Sequence, residues 1–230
     1  MKIQTNIKNM RCTVFTDKII PFNSIIEEKL ESIFIDRKLT PILLQEMQNI
    51  VLPNQFFQSW GFIDNNQDFF QIRGNKIDIF ANSNYSKEPD FCNYSLDIFL
   101  KLKELLKFNI RRLAFAPTYF IEEEFVKQFI ETNFKVHKFG SSTTQGFTLS
   151  RVFYRSETIE EFSYDINYNT NIVLQNLNPF PINTKQQILI EQDVNTKDRG
   201  RQFFENEEIK TFYDNVSELN LSYLKIFIGE

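Results

Sequence analysis

Four arginines stand where strand-like segments would bring guanidinium groups side by side: Arg111 and Arg112 in one segment, Arg151 and Arg155 in another. One guanidinium from each of two neighbouring strands could clamp a phosphate or carboxylate through paired N–H···O bonds. The plainer reading is a set of solvated strand arginines matched by Glu and Asp. With Arg73 and Lys76 from an earlier segment, the candidate set for an anion or a nucleic acid is Arg73, Lys76, Arg111, Arg112, Arg151 and Arg155.

A second concentration is acidic: Asp193, Asp198, Glu205, Glu207 and Glu208, surrounding Arg199 and Arg201. Metal-dependent hydrolysis needs carboxylates fixed on rigid elements around a cation. These residues fall in a loop and a helix start, where the helix dipole alone favours acids. His137, the one histidine, precedes Ser141, Ser142, Thr143 and Thr144 but has no nucleophile beside it. That same stretch lacks the Gly-x-x-x-x-Gly-Lys-Ser/Thr spacing of a phosphate cradle and reads as a loop. Cys12 and Cys92 are the only cysteines, so with one histidine a closed Cys/His zinc site has too few ligands. Both cysteines sit beside apolar segments and read as reduced core residues. The sequence therefore assigns no catalytic, cofactor or metal residue, and expects no cofactor.

The aromatic side chains are the other candidates. Trp60, Phe69, Phe70 and Tyr85 belong either to the core or to a protein-binding face, with an aromatic platform for bases as a third use. The chain holds 26 Phe in 230 residues, more than a core of this size readily absorbs. The composition, 42% hydrophobic and 24% charged with six Gly, describes an ordered globule. The formal charge of -4 argues against indiscriminate coating of a polyanion but leaves room for a local basic patch.

The elements that must position these residues follow from periodicity. Arg11 to Thr16 alternates as a strand, and Ile26, Leu30 and Ile33 share a helical face after Asn23 and Ser24. Pro41 to Leu52 reads as a short helix or an irregular crossing. Gln58 to Ile63, Asp68 to Arg73 and Lys76 to Ala81 read as strands, the last two joined at Gly74 and Asn75. An amphipathic helix spans Leu96 to Phe108. A strand beginning at Ile110 is expected to be interrupted at Pro117, and a helix covers Glu122 to Asn133. Strands are expected over Gly146–Arg155, Glu161–Leu174 and Lys185–Val194, and a helix over Glu207–Phe227.

The order strand, helix, antiparallel strands, helix thus occurs twice. The fold class is α+β, antiparallel sheets packed with helices, with two pseudo-symmetric halves, 1–109 and 110–230, as one compact unit. No apolar run is long enough to span a membrane and the first residues lack a signal-peptide core, so a soluble cytoplasmic protein is expected.

The early strand and helix, the Trp60-bearing hairpin, Arg111 to Tyr119, the acidic strand Ile188 to Asn195 and the final Phe-rich helix together resemble the sporadically distributed bacterial TIGR04255 family. The likeness is one of layout and spans nearly the whole chain. Family members carry a strand of the form Arg-x-x-Leu-Arg-Tyr-Ile-Asn where this chain has Arg112 to Tyr119, and Ala116, Pro117 and Thr118 replace its polar end here. The resemblance implies a two-lobed sheet-and-helix fold and a place in mobile gene neighbourhoods, including bacterial defence modules. It transfers no catalytic residue.

The function expected is a non-enzymatic protein-interaction or regulatory subunit, in a bacterial antiviral defence or toxin-control setting, with a protein partner or self-association and no membrane. The alternatives are a nucleic-acid-binding module using the Arg/Lys set and a metal-dependent hydrolase. A nucleic-acid module would gather Arg73, Lys76, Arg111 and Arg151 on one surface; a hydrolase would bury two or more carboxylates beside a pocket.

Overall fold

A computed structural model describes residues 5–20, 24–33, 40–47, 56–63, 68–81, 87–133, 147–176 and 186–228. The chain forms β1 (Thr5–Thr16), α1 (Ser24–Ile33), β2 (Thr40–Met47), β3 (Phe56–Ile63), β4 (Phe69–Arg73), β5 (Lys76–Ala81) and α2 (Glu88–Leu106). It continues with β6 (Ile110–Ile121), α3 (Glu123–Asn133), β7 (Phe147–Ile159), β8 (Phe162–Asn176), β9 (Gln186–Thr196) and α4 (Asn206–Ile228).

The nine strands make one antiparallel sheet in the order β2-β3-β4-β5-β1-β6-β9-β8-β7. Each half starts at the middle of the sheet, with β1 or β6, and crosses through a helix to an outer edge, β2 or β7. It then returns strand by strand to the centre. Residues 1–109 and 110–230 meet where β1 pairs with β6 from Thr5 opposite Ile121 to Thr16 opposite Ile110.

Strand alternation divides the sheet into two faces. Met10, Cys12 and Val14 of β1, Ile77 and Ile79 of β5, Leu113 and Phe115 of β6, and Ile166 and Tyr168 of β8 point to one side. There they join Phe91, Phe99 and Leu102 of α2 and Phe212, Tyr213 and Val216 of α4 in the main core. A second cluster brings Val126 and Phe129 of α3 onto Tyr119, Ile172, Ile188 and Ile190. Among the described residues the helices lie on this one face.

Local signals explain the joints. Gly74 takes a left-handed φ of 61° in the two-residue turn between Arg73 and Lys76, a conformation that costs glycine little. Helix α2 opens with Pro89 in its first turn and Glu88 and Asp90 near its positive end. It stops at Lys107, whose left-handed backbone donates its N–H to the Lys103 carbonyl at 3.0 Å.

Three sequence expectations are corrected. Thr40–Met47 is a strand, paired residue for residue with β3 from Thr40 opposite Ile63 to Met47 opposite Phe56, where a helix or irregular crossing was the reading. The partner strand supplies what the short apolar run could not specify on its own. Strand β6 also does not end at Pro117, which is paired with Met10 of β1, and it continues to Ile121. The proline's missing N–H is felt on the other side, where pairing with β9 passes from Phe115–Val194 to Thr118–Glu191 and skips Ala116 and Pro117. Helix α2 begins at Glu88, well before the expected start at Leu96.

No helix among the described residues is long and apolar enough to cross a membrane.

Candidate functional site

Strand β7 closes one end of the sheet and, among the described residues, hydrogen-bonds to β8 alone. Its thirteen residues pair with β8 without a bulge, from Phe147 opposite Leu174 to Ile159 opposite Phe162. The chain reverses through Glu160 and Glu161, with Glu160 at a φ of 55°, the left-handed backbone that tight hairpin turns require.

Alternation sends Arg151, Phe153, Arg155 and Glu157 toward α4 and Ser150, Val152, Tyr154 and Ser156 to the opposite face. The strand is exposed on both. Val152 is 73% accessible, Tyr154 51%, Phe153 47% and Leu149 42%. These four make up most of the large exposed hydrophobic side chains among the described residues, the others being Ile19, Phe203 and Leu221. Such residues are normally scattered singly, whereas these four share one strand that no other described element covers.

The helix-side row borders a cleft of about 590 Å³ between β7 and α4. Tyr168 of β8 and Tyr223 of α4 stack at 3.8 Å between ring centroids, and Phe153 tilts against both, at 6.3 and 5.8 Å. Arg155 Nε lies 3.4 Å from Glu157, and the Tyr168 hydroxyl donates to Glu157 at 3.2 Å. A hydrogen bond with Tyr223 and the Glu157 charge hold the Arg155 guanidinium more firmly protonated than usual. Burial, reinforced by the Glu157 charge, pushes the Tyr168 phenol well above its ordinary range. The cleft can thus position an apolar or aromatic group beside cationic side chains.

The helix-free face is different in character. Arg112 lies over the Phe15 ring at 4.8 Å, with Lys76 over the same ring at 5.9 Å and Arg11 over Phe80 at 5.9 Å. Acids and amides balance them: Lys76 pairs with Asp78 at 2.9 Å, and Arg112 donates to Asn195 at 2.6 Å. A groove of about 600 Å³ runs over this face, where Arg11, Asn9, Asn169, Asn171, Glu191 and Asp193 line it. It is a polar surface of mixed sign.

The six cations singled out from sequence divide among three places. Arg151 and Arg155 occupy the helix side of the outer strand β7, while Arg112 and Lys76 flank Phe15 on the opposite face near the sheet centre. Arg73 is Lys76's partner across the β4–β5 turn, and Arg111 sits 3.6 Å from Asp198. Of the aromatic set, Phe70 is 3% exposed in the core and Phe69 is half-buried, 5.7 Å from Phe80. Trp60 lies on β3 opposite Leu43 and Ile72. Tyr85, His137 and the serines and threonines after it fall outside the described residues.

The acidic run is dispersed as well. Glu208 accepts from Arg199 at 2.7 Å, Asp198 accepts the Gly200 N–H at 2.7 Å, and Asp193 belongs to the helix-free groove. Among the described residues no three His, Cys, Asp or Glu side chains stand together as a metal site.

Sequence reasoning missed a buried polar network. Tyr119 donates to the Glu88 carboxylate, Ser217 donates to it at 2.9 Å, and Asn220 donates to the Tyr119 oxygen. Burial raises the Glu88 pKa despite these hydrogen bonds and lifts Tyr119 as well. Glu88 directly precedes Pro89, where an acid reads as a solvated helix start. The signal available was the polar pair Ser217 and Asn220 inside the apolar stripe of α4.

No protein-family model matches the chain, and no curated protein matches it significantly.

Proposed function

We propose that the protein is a non-enzymatic interaction module that engages a protein partner through the outer edge of β7. The observation that carries this reading is the run of exposed apolar side chains on a thirteen-residue strand whose outer backbone edge has no partner strand among the described residues. An edge of this kind offers main-chain hydrogen bonds for affinity, and the side chains on alternate faces offer selectivity. The two halves are pseudo-symmetric lobes about the β1–β6 pair, and the second lobe carries the contact strand. The setting, a regulatory subunit of a bacterial antiviral defence or toxin-control system in the cytoplasm, rests on the resemblance to the TIGR04255 family.

The test is capture with the full tagged chain beside Val152→Lys, a substitution at a solvent-facing position. A protein retained at fixed ratio by the parent and lost by the variant is the expected result. Equal capture by both would reject β7 as the surface.

Nucleic-acid binding on the helix-free face is a second reading, favoured by Arg11, Arg112 and Lys76 packed on Phe80 and Phe15. It predicts single-stranded binding that weakens with salt and with Arg112→Ala. Salt-independent or undetectable binding would dismiss it. Metal-dependent hydrolysis has no comparable observation behind it, since the described carboxylates of the acidic run are spread over separate partners.

A further inference from the structure

We infer that the partner of β7 is β7 of a second copy of this chain, paired antiparallel about a two-fold axis at Tyr154, so that two sheets join into one. The inference rests on the reading of β7 as the contact surface and adds the occupant and its register.

The backbone sets which groups are free. Because β7 and β8 are joined by a two-residue turn, Ile159 and Phe162 close the ladder, and the odd-numbered residues of β7 exchange hydrogen bonds with β8. The N–H and C=O groups of Ser150, Val152, Tyr154, Ser156 and Thr158 therefore point outward. Natural edges of this length are blunted by charged side chains, proline, a bulge or a short strand. β7 has no proline or bulge over Phe147–Ile159, and its charges, Arg151, Arg155 and Glu157, are of both signs, so a partner strand must match them.

The side chains then select the register. About Tyr154, Arg151 stands opposite the partner's Glu157, Phe153 opposite the partner's Arg155, and Leu149 opposite the partner's Ile159, each pair occurring twice. The row thus matches itself as ion pair and cation over ring, while Ile159 stays packed in the core of its own chain. On the other face Val152 meets the partner's Ser156, and Ser150 meets the partner's Thr158. Moving the axis by one residue to Phe153 places Arg151 opposite the partner's Arg155, a doubled like-charge contact. Moving it to Arg155 opposes the two Arg155 side chains. Moving it to Val152 leaves Glu157 opposite the partner's Phe147 and forms no ion pair. An axis at Ser156 also sets Arg155 opposite the partner's Glu157, but it overlaps the strands only from Phe153 to Ile159, whereas the axis at Tyr154 pairs them from Leu149 to Ile159; charge match and overlap together select Tyr154. With the two-fold axis perpendicular to the sheet, both sets of helices lie on the same side.

Sedimentation of the full chain across micromolar concentrations should show a reversible species of twice 27.5 kDa. Arg151→Glu should weaken it at least tenfold, and the double exchange Arg151→Glu with Glu157→Arg should restore it. Register is read separately by Tyr154→Cys, which brings two thiols together across the axis and should give a disulfide-linked dimer under mild oxidation, while Ser150→Cys should not; the native Cys12 and Cys92 are buried. Crosslinking through Ser150→Cys in place of Tyr154→Cys would overturn the register. A monomer at every concentration, with no crosslink from Tyr154→Cys, would overturn self-pairing. In that case loss of a captured protein by Val152→Lys would leave the contact-surface reading standing, and unchanged capture would remove both.

Discussion

The hydroxyl of Tyr213 on the closing helix donates to the Thr13 carbonyl of β1 at 2.8 Å, and it lies 3.3 Å from the carbonyl of Ala114 on β6. Thr13 and Ala114 are opposite one another in the ladder that joins the two halves. One fully buried side chain of the second half is thus anchored at the seam, and α4 is held over the sheet whose far edge is β7.

Tyr213→Phe keeps the ring, its contact with Phe99 at 5.6 Å and nearly all of the burial, and removes only the donor. The expected loss is about 1 kcal/mol, the usual net worth of a hydrogen bond. Equilibrium denaturation of parent and variant measures it; a loss below the precision of the midpoint would show that the seam does not depend on this contact.

Glu88 makes stability depend on pH. Its carboxyl titrates above 4.5 in the folded chain because burial disfavours the charge. As pH rises past 4.5 the unfolded chain loses this proton first, so the contribution is complete below 4.5 and declines up to the raised folded value. Glu88→Gln should flatten that part of the stability profile, which thermal melts from pH 4 to 8 would show. Glu88→Ala should cost roughly 2 to 3 kcal/mol at pH 4 and less as pH rises, because Tyr119 and Ser217 lose a buried acceptor.

Deleting the chain from Glu207 onward should abolish folding. Ile209, Phe212, Tyr213, Val216 and Leu224 are buried on α4, and at about 1.5 to 3 kcal/mol for each large apolar side chain the loss is comparable with the roughly 5 to 15 kcal/mol that holds a typical domain together. Circular dichroism and a denaturant titration would settle it. A truncated chain that stays soluble and unfolds cooperatively would contradict this role of α4.

Much of the architecture was legible because periodicity speaks directly about burial. The stripe of Ile209, Phe212, Tyr213 and Val216 on α4 and the alternation of Ile166, Tyr168, Thr170 and Ile172 on β8 are core-facing as their spacing implies. The path of β6 through Pro117 was not legible, since a proline's cost depends on which neighbour its nitrogen faces, and here β1 keeps its pairing while β9 gives way. Strand order was hidden for a related reason: nothing in Phe147–Ile159 alone distinguishes an outer strand from a central one. The residues of the candidate site were therefore visible only in part. Arg151 and Arg155 stood out as cations, whereas Val152, Phe153 and Tyr154 became informative once β7 was placed at the edge.

The most direct test of the central claim is backbone amide exchange over Phe147–Ile159 in the full chain, followed from dilute to concentrated protein. If β7 is the contact edge, the outward amides of Val152, Tyr154 and Ser156 exchange rapidly when dilute and become protected as the second copy pairs with them, while the odd-numbered amides facing β8 change little. Outward amides that exchange at the same rate at every concentration, and also with any captured protein bound, would contradict the account.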